Sequence, residues 1–216
     1  MKKLLAVLLI TTFSFMICAC SENRTEENEE TSSVSSASEN PEESDKEEIR
    51  TTSSSLTSPL SLNEWGTAAK FSTKEQKYYN VPIRVISVTN GKNAEKEVKA
   101  FMDESPEYTY EKPDKNTEWV IAEYELSLDG FPLDDEGADA SVSAFVSSDN
   151  GGIIEYKGEK FSSVTVNMID GNYSFEGLVK GRTAFKMPKN FSNYIVAFGE
   201  YGETQAYFSK NTKNMF

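Results

Sequence analysis

A short acidic stretch holds the densest set of side chains that could bind a metal ion. Five acids fall within residues 129–139, together with two glycines. The four that we take as candidate calcium ligands are Asp134, Asp135, Glu136 and Asp139. Calcium takes about six to eight oxygen ligands from carboxylates and carbonyls, and this loop could supply some of them. The spacing does not match an EF-hand loop, so the favoured alternative is a solvated acidic loop that keeps a β-rich surface soluble.

The residue types required for most side-chain catalysis are missing. The chain has no His, and its two cysteines, Cys18 and Cys20, both lie near the start. Ser-His-Asp and Cys-His nucleophiles and His-ligated metals are therefore excluded. A carboxylate pair could hydrolyse a glycoside, but nothing singles out one pair among 35 acids. We expect no enzyme activity, and no cofactor apart from the calcium hypothesis.

Tyr108 and Tyr110 are the candidate residues for binding another molecule. They lie between Pro106 and Pro113, in a long predicted loop where the core has no evident need of aromatic rings. Exposed loop aromatics are typical of protein and glycan recognition. The favoured alternative is that both rings pack back over a neighbouring helix.

Short alternating segments separated by turn residues dominate residues 59–216. In the clearest one, 117–128, alternate residues from Val120 to Leu128 share one face, and Trp119 and Ile121 fill the other. Further strands are predicted at 65–71, 78–89, 141–147, 153–156, 173–179, 182–187, 194–198 and 205–208. About seven to nine short strands with Gly- and Pro-marked turns predict an all-β fold, an antiparallel β-sandwich.

One segment departs from the strand pattern. Residues 93–104 place Ala94, Val98 and Met102 at near-helical spacing, and Asn93 can cap the first turn. We predict one short amphipathic helix, inserted between two strands and lying over one end of the sandwich.

The charge balance makes an anionic partner unfavourable. The chain has 22 Lys plus Arg against 35 Asp plus Glu, a formal net charge of −13. Such a surface repels phosphate backbones and anionic lipid headgroups. We therefore expect no nucleic-acid binding and no membrane attachment through a basic patch.

The first twenty residues have the layout of an export signal. Two lysines precede an apolar run that ends in Ile17-Cys18-Ala19-Cys20. The run of about fourteen residues is shorter than the roughly 20 that span a bilayer. Its ending resembles the lipobox of bacterial lipoproteins. The resemblance implies a signal peptide at 1–19 and a diacylglycerol on the Cys20 thiol; an uncleaved anchor and ordinary secretion are the alternatives.

Residues 20–58 are predicted to form a disordered acidic tether. Ser, Thr, Glu and Asn dominate this segment, which cannot bury enough apolar surface to offset its conformational entropy. A flexible chain of about 38 residues has a mean reach of roughly 35 Å. The segment would lift the domain at 59–216 off a membrane; an acidic interaction tail is the alternative.

The order of elements in the domain is distinctive. An Asn90-Gly91 turn precedes the short helix, an acidic-aromatic loop and the long strand at 118–128. Phe175-Glu176-Gly177, a charged strand at 181–188 and a terminal hairpin beginning at 194–199 follow. This order resembles the telokin-like immunoglobulin domains of the DUF4352 type, common among Gram-positive lipoproteins, over about residues 62–210. The loop after the helix lacks the family's Asn-rich segment. The resemblance implies an immunoglobulin-like β-sandwich and little about function.

These features predict a lipoprotein anchored to the extracytoplasmic face of a cell membrane. They favour the surface of a Gram-positive cell. The leading hypothesis is a monomeric protein-binding module whose loops 103–117 and 129–140, at one end, recognise an envelope or host protein. The alternative is a structural or stress-related envelope protein without a discrete ligand, and a calcium-dependent or sugar-binding module is the third. Exposed aromatics at one loop end favour the first hypothesis, and buried aromatics favour the second.

Overall fold

The computed structural model describes residues 48–148, 154–161, 165–169 and 173–210. The predicted signal peptide, Cys20 and most of the predicted tether lie outside the described residues. Within those ranges, the structure contains no helix with the length and apolar character needed to cross a membrane.

The described chain forms a mostly antiparallel β fold with one helix, which confirms the predicted sandwich-like architecture. Its elements are β1 (Gly66–Ser72), β2 (Lys77–Asn90), α1 (Lys92–Glu104), β3 (Thr117–Ser127), β4 (Ala144–Ser148), β5 (Ile154–Tyr156), β6 (Glu159–Phe161), β7 (Thr165–Asn167), β8 (Leu178–Pro188), β9 (Tyr194–Phe198) and β10 (Ala206–Ser209). The sheets have the orders β1-β2-β3-β8-β7, β10-β9-β4 and β5-β6. Strands β6 and β7 were not predicted. The strands predicted at 173–179 and 182–187 are replaced by the single strand β8, and residues 173–177 precede it.

The main core lies between the five-stranded and the three-stranded sheet. Strand β3 alternates as predicted, because its even-numbered residues from Val120 to Leu126 point inward. Other large side chains of this core include Val81, Ile83, Val85, Phe185, Met187, Val196, Phe198 and Phe208. Since the described residues include no cysteine, this apolar layer is the principal source of stability.

Helix α1 packs on the outer face of the five-stranded sheet. Its buried residues Ala94, Val98 and Met102 meet Trp119 and Ile121, the odd-numbered face of β3. The helix therefore covers a sheet face rather than one end of the sandwich. The N-cap is Gly91 and no side chain caps the helix, so the prediction of an Asn93 cap is wrong.

The segment before β1 covers the free edge of β10. The amide of Leu60 donates to the Tyr207 carbonyl at 2.8 Å, and the Ser209 amide donates to the Leu60 carbonyl at 2.9 Å. The Ser54 hydroxyl accepts from the Tyr207 amide at 2.9 Å, and Thr52 N donates to the Trp65 carbonyl at 2.8 Å. A covered edge cannot pair with a second sheet. These bonds include residues that precede position 59, where the prediction starts the domain.

Candidate functional site

The two loops proposed for recognition lie at opposite ends of the five-stranded sheet. One loop ends where β3 begins, at Thr117, and the other starts just after β3 ends, at Ser127. A strand of 11 residues spans about 35 Å at its usual rise. The prediction that loops 103–117 and 129–140 share one end is therefore wrong.

Tyr108 and Tyr110 pack against helix α1. The Tyr108 ring lies 5.8 Å from the Phe101 ring, centroid to centroid. The Tyr110 hydroxyl donates to Glu95 Oε1 at 3.1 Å, and Lys99 Nζ lies 5.4 Å from the Tyr110 ring centroid. Burial and the neighbouring Glu95 carboxylate raise the pKa of Tyr110 to about 12. Both side chains are half-buried, the placement expected of the packing alternative.

The four acids proposed as calcium ligands do not converge. Asp134 accepts from the Thr73 hydroxyl at 3.0 Å and from the Glu136 amide at 3.1 Å. Asp139 instead accepts from the Ser141 amide at 2.9 Å. Across the described ranges, no group of three or more His, Cys, Asp or Glu side chains is placed to hold a metal ion. The arrangement fits an ordered turn and does not fit a calcium cage, which needs several oxygens aimed at one point.

Lys70 is the buried cation that holds this loop in place. On β1 it shares the inward face with Ala68, and its side chain is only 4 % exposed. Its Nζ donates to the Ser141 carbonyl at 2.6 Å and lies 3.7 Å from Asp139 Oδ1. Burial lowers the pKa of Lys70, and Asp139, which acts in the opposite direction, offsets only part of this effect. A lysine surrounded in this way has a fixed position and little contact with solvent.

Further hydrogen bonds tie the acidic loop to the sandwich. The Ser72 hydroxyl donates to the Pro132 carbonyl at 3.1 Å, and the Tyr124 hydroxyl donates to the Ala140 carbonyl at 2.9 Å. Ala138 and Ser174 exchange two backbone bonds, of 3.0 and 2.8 Å. Because these bonds reach three separate elements, the loop forms an ordered part of the domain.

A small cavity lies between the acidic loop and the end of β1. Its volume is about 200 Å³. Its lining residues include the aromatic side chains of Phe71, Phe131 and Tyr173, the carboxylates of Asp134 and Glu136, and the Lys70–Asp139 ion pair. Aromatic rings beside carboxylates provide both apolar contact and negative charge at one place.

Exposed apolar side chains gather at this same end of the fold. We define the acidic-loop end as residues 70–78, 128–143, 173–178 and 199–205. At this end β1 meets β2, β3 ends opposite the start of β8, and β9 is followed by β10. The described residues include six exposed large hydrophobic side chains, and all six belong to it: Phe71, Tyr78, Tyr173, Phe175, Leu178 and Tyr201.

The 199–205 turn joins this end through backbone contacts. The Gly199 amide donates to the Ser143 carbonyl at 2.8 Å, and the Ala69 amide donates to the Thr204 carbonyl at 2.8 Å. The Ser143 hydroxyl also lies 2.7 Å from Glu200 Oε2. Tyr201, whose side chain is 93 % exposed, is thus carried by a turn that Ser143 and β1 hold in place.

Replacing Lys70 with methionine should change how stability depends on pH. Burial lowers the pKa of Lys70 from its ordinary value of 10.5. Between the lowered value and 10.5, the unfolded chain binds more protons than the folded one, so the unfolding free energy rises with pH. We therefore expect the unfolding free energy of wild type to increase relative to that of Lys70→Met as the pH rises from about 7 to about 10. Urea denaturation at several pH values measures it.

Lys74→Met is the matched control, because Lys74 lies on the exposed turn after β1 and its charge is already in water. A pH-dependent difference of the same size in both variants would contradict the role given to burial of Lys70.

Sequence reasoning missed Lys70 and the exposed rings outside the predicted loops. One signal was present, since Lys70 has the same parity as the inward-facing Ala68, and Phe71 the opposite parity.

A scan against protein-family models, a search of curated proteins and a search of solved structures each gave no match for this chain.

Proposed function

We propose that this chain is a membrane-anchored, extracytoplasmic protein whose β domain binds another protein through the acidic-loop end. One observation carries the proposal: all six exposed large hydrophobic side chains of the described residues lie at that end. Singly scattered surface hydrophobics need no explanation, whereas a group of them marks a contact surface. Aromatic side chains in particular dominate the binding energy of protein interfaces.

The rigidity of the surface supports a binding role. Lys70, Ser72 and Tyr124 hold the acidic loop by side-chain hydrogen bonds to its backbone carbonyls. A surface that is already ordered loses less conformational entropy when it binds. The alternative of a structural envelope protein without a ligand offers no reason to expose these rings together.

The remaining parts of the proposal concern placement. A lipid on Cys20 would hold the chain at the membrane, with the residues between Cys20 and the first domain contacts as a tether and an immunoglobulin-like domain beyond it. Thr52 bonds to Trp65 beside the start of β1, while Phe71 lies near the other end of that strand. The acidic-loop end is thus separated from the point where the tether joins the domain, which favours access by a partner.

Site-specific photo-cross-linking tests the proposal. We would introduce Tyr173→p-benzoylphenylalanine and Tyr201→p-benzoylphenylalanine separately into the full chain and irradiate the native cells. Asn193→p-benzoylphenylalanine, exposed beside β9 at the opposite end of the fold, is the control. We expect the same protein adduct from positions 173 and 201, and none from position 193. Equal labelling from all three positions, or no protein adduct from any of them, would reject this binding surface.

A further inference from the structure

We infer that the partner presents a Lys- or Arg-containing segment, and that one of its cationic side chains enters the cavity between the acidic loop and β1. The inference rests on the proposed function and adds the chemistry of the partner. Three observations support it: the negative charge of the acidic-loop end, the lack of a lysine that pairs with the cavity carboxylates within the described residues, and the aromatic rings that line the cavity.

The acidic-loop end is strongly negative. Its residues include nine acids and three lysines, a formal charge of −6. The loops at the opposite end, 103–117 and 189–193, include five acids and three lysines, a formal charge of −2. The negative charge is therefore concentrated where the exposed rings are, and a potential of this sign attracts a cationic partner.

Within the described ranges, none of the three lysines at this end pairs with the cavity carboxylates of Asp134 and Glu136. Lys74 lies on the exposed turn after β1 and does not border the cavity. Lys70 is buried and bonded to Ser141, with Asp139 as its ion-pair partner. Lys77 Nζ pairs with Glu75 at 3.0 Å. Asp134 and Glu136 appear in none of the ion pairs seen within the described ranges.

Both of these carboxylates therefore retain their negative charge for an incoming group. In the part of the chain that the structure describes, Asp134 accepts hydrogen bonds only from neutral donors, the Thr73 hydroxyl and the Glu136 amide. Neutral donors orient a carboxylate without cancelling its charge, so a cation from outside can still pair with it.

The aromatic lining favours a cation over a neutral polar group. Phe71 and Tyr173 border the cavity, and a guanidinium or ammonium group is attracted to such ring faces. The same chemistry occurs elsewhere in the domain, where the Arg84 guanidinium lies 4.5 Å from the Trp65 ring centroid. A volume of about 200 Å³ admits one side chain and is too small for a folded element. Lys70 also borders the cavity, but Asp139 and the Ser141 carbonyl already occupy its ammonium group. An anionic ligand would therefore meet the carboxylates of Asp134 and Glu136 and be repelled.

Fluorescence anisotropy with the full chain in uncharged detergent tests this inference. The probe is a dye-labelled peptide of four Gly-Arg repeats, and its citrulline counterpart keeps the shape without the charge. We expect the citrulline peptide to bind at least about tenfold more weakly than the arginine peptide. Arginine-peptide binding should also weaken as sodium chloride rises from about 50 to about 300 mM.

Paired variants locate the site. Asp134→Asn with Glu136→Gln should weaken binding of the arginine peptide about tenfold, since two charges at the cavity are lost. Glu104→Gln with Glu107→Gln removes the same charge from exposed positions of loop 103–117 at the opposite end and should leave the affinity unchanged. Tyr173→Ser should weaken binding as well, which a purely electrostatic attraction to the net charge would not produce.

The results separate this inference from the proposed function. Equal binding of the arginine and citrulline peptides, or equal loss in the two paired variants, overturns the cationic partner. If position 173 cross-links a protein through a segment without Lys or Arg, the inference of a cationic partner is overturned, but the proposed binding surface stands. A glycan adduct in place of a protein overturns both.

Discussion

Replacing Tyr124 with alanine is expected to lower the free energy of unfolding by about 3–5 kcal/mol, the range for removing a large buried aromatic side chain. Tyr124 is fully buried on β3, and its ring centroid lies 4.7 Å from that of Phe198 on the opposite sheet. Its loss would leave a cavity between the two sheets, and it would also remove the donor to the Ala140 carbonyl. Urea denaturation of the full chain measures the change.

Tyr124→Phe separates the two contributions. This variant keeps the ring and removes only the hydroxyl, leaving the carbonyl of Ala140, itself 1 % exposed, without this donor. We expect a loss of about 1–3 kcal/mol, with faster amide hydrogen exchange in the 138–141 segment. Equal losses from the Phe and Ala variants would show that ring packing contributes little, contrary to the burial of Tyr124.

Gly199→Ala is expected to lower the free energy of unfolding by about 2–5 kcal/mol. Gly199 follows β9 and has a φ of +113°, a conformation that L side chains rarely adopt. A Cβ at this position would also lie against the Thr204 carbonyl oxygen, closer than real Cβ atoms approach backbone. Backbone strain and a backbone clash therefore add together. Because this turn carries Tyr201, the variant should also weaken cross-linking from position 201.

Gly202→Ala is the matched control within the same turn. Its φ is +90°, but nothing lies within 4 Å of the position that a Cβ would take. We expect a loss of only about 1–2 kcal/mol from the left-handed conformation itself. If the two variants lost the same stability, the close approach of Gly199 to the Thr204 backbone would not explain the effect.

The positions of most strands along the chain and the residues that share each strand face could be predicted, because both follow from local periodicity. Alternation along β3 assigned Tyr124 and Leu126 to one face and Trp119 to the other, as the structure shows. Strand β9 was predicted with its observed limits, Tyr194–Phe198. The apolar face of α1 followed from its helical spacing. In each case the information lies within a few neighbouring residues, so one segment is sufficient to recognise it.

The ends of helices and strands, and strands of only a few residues, were harder to predict from the sequence. Strands β6 and β7 each comprise 3 residues with a single apolar side chain, so neither shows an alternating pattern. The helix begins at Lys92 behind a glycine, where a side-chain cap had been expected from Asn93. The backbone conformation of Gly91 sets the first residue of the helix, and side-chain periodicity does not reveal that conformation.

The candidate site depended on contacts that only the tertiary structure creates. Sequence reasoning selected the acidic loop for its composition, but it placed loop 103–117 beside it. It named Tyr108 and Tyr110 as candidates for recognition, with packing over the helix as the favoured alternative. The structure separates the two loops by the length of β3 and packs both rings on α1. A loop's composition carries no information on the surface that it will meet.

The amino-acid sequence by itself determined the sandwich-like β fold, its single helix and the acidic character of the chain. Only the tertiary structure decided that Lys70 would be buried beneath the acidic loop and that the exposed rings would share one end. Lys70 and Ser141, which share a hydrogen bond, are 71 positions apart, and Ser143 and Glu200 are 57 apart. Such pairs form when sheets pack face to face, because packing brings distant strand ends together whatever the order of residues between them.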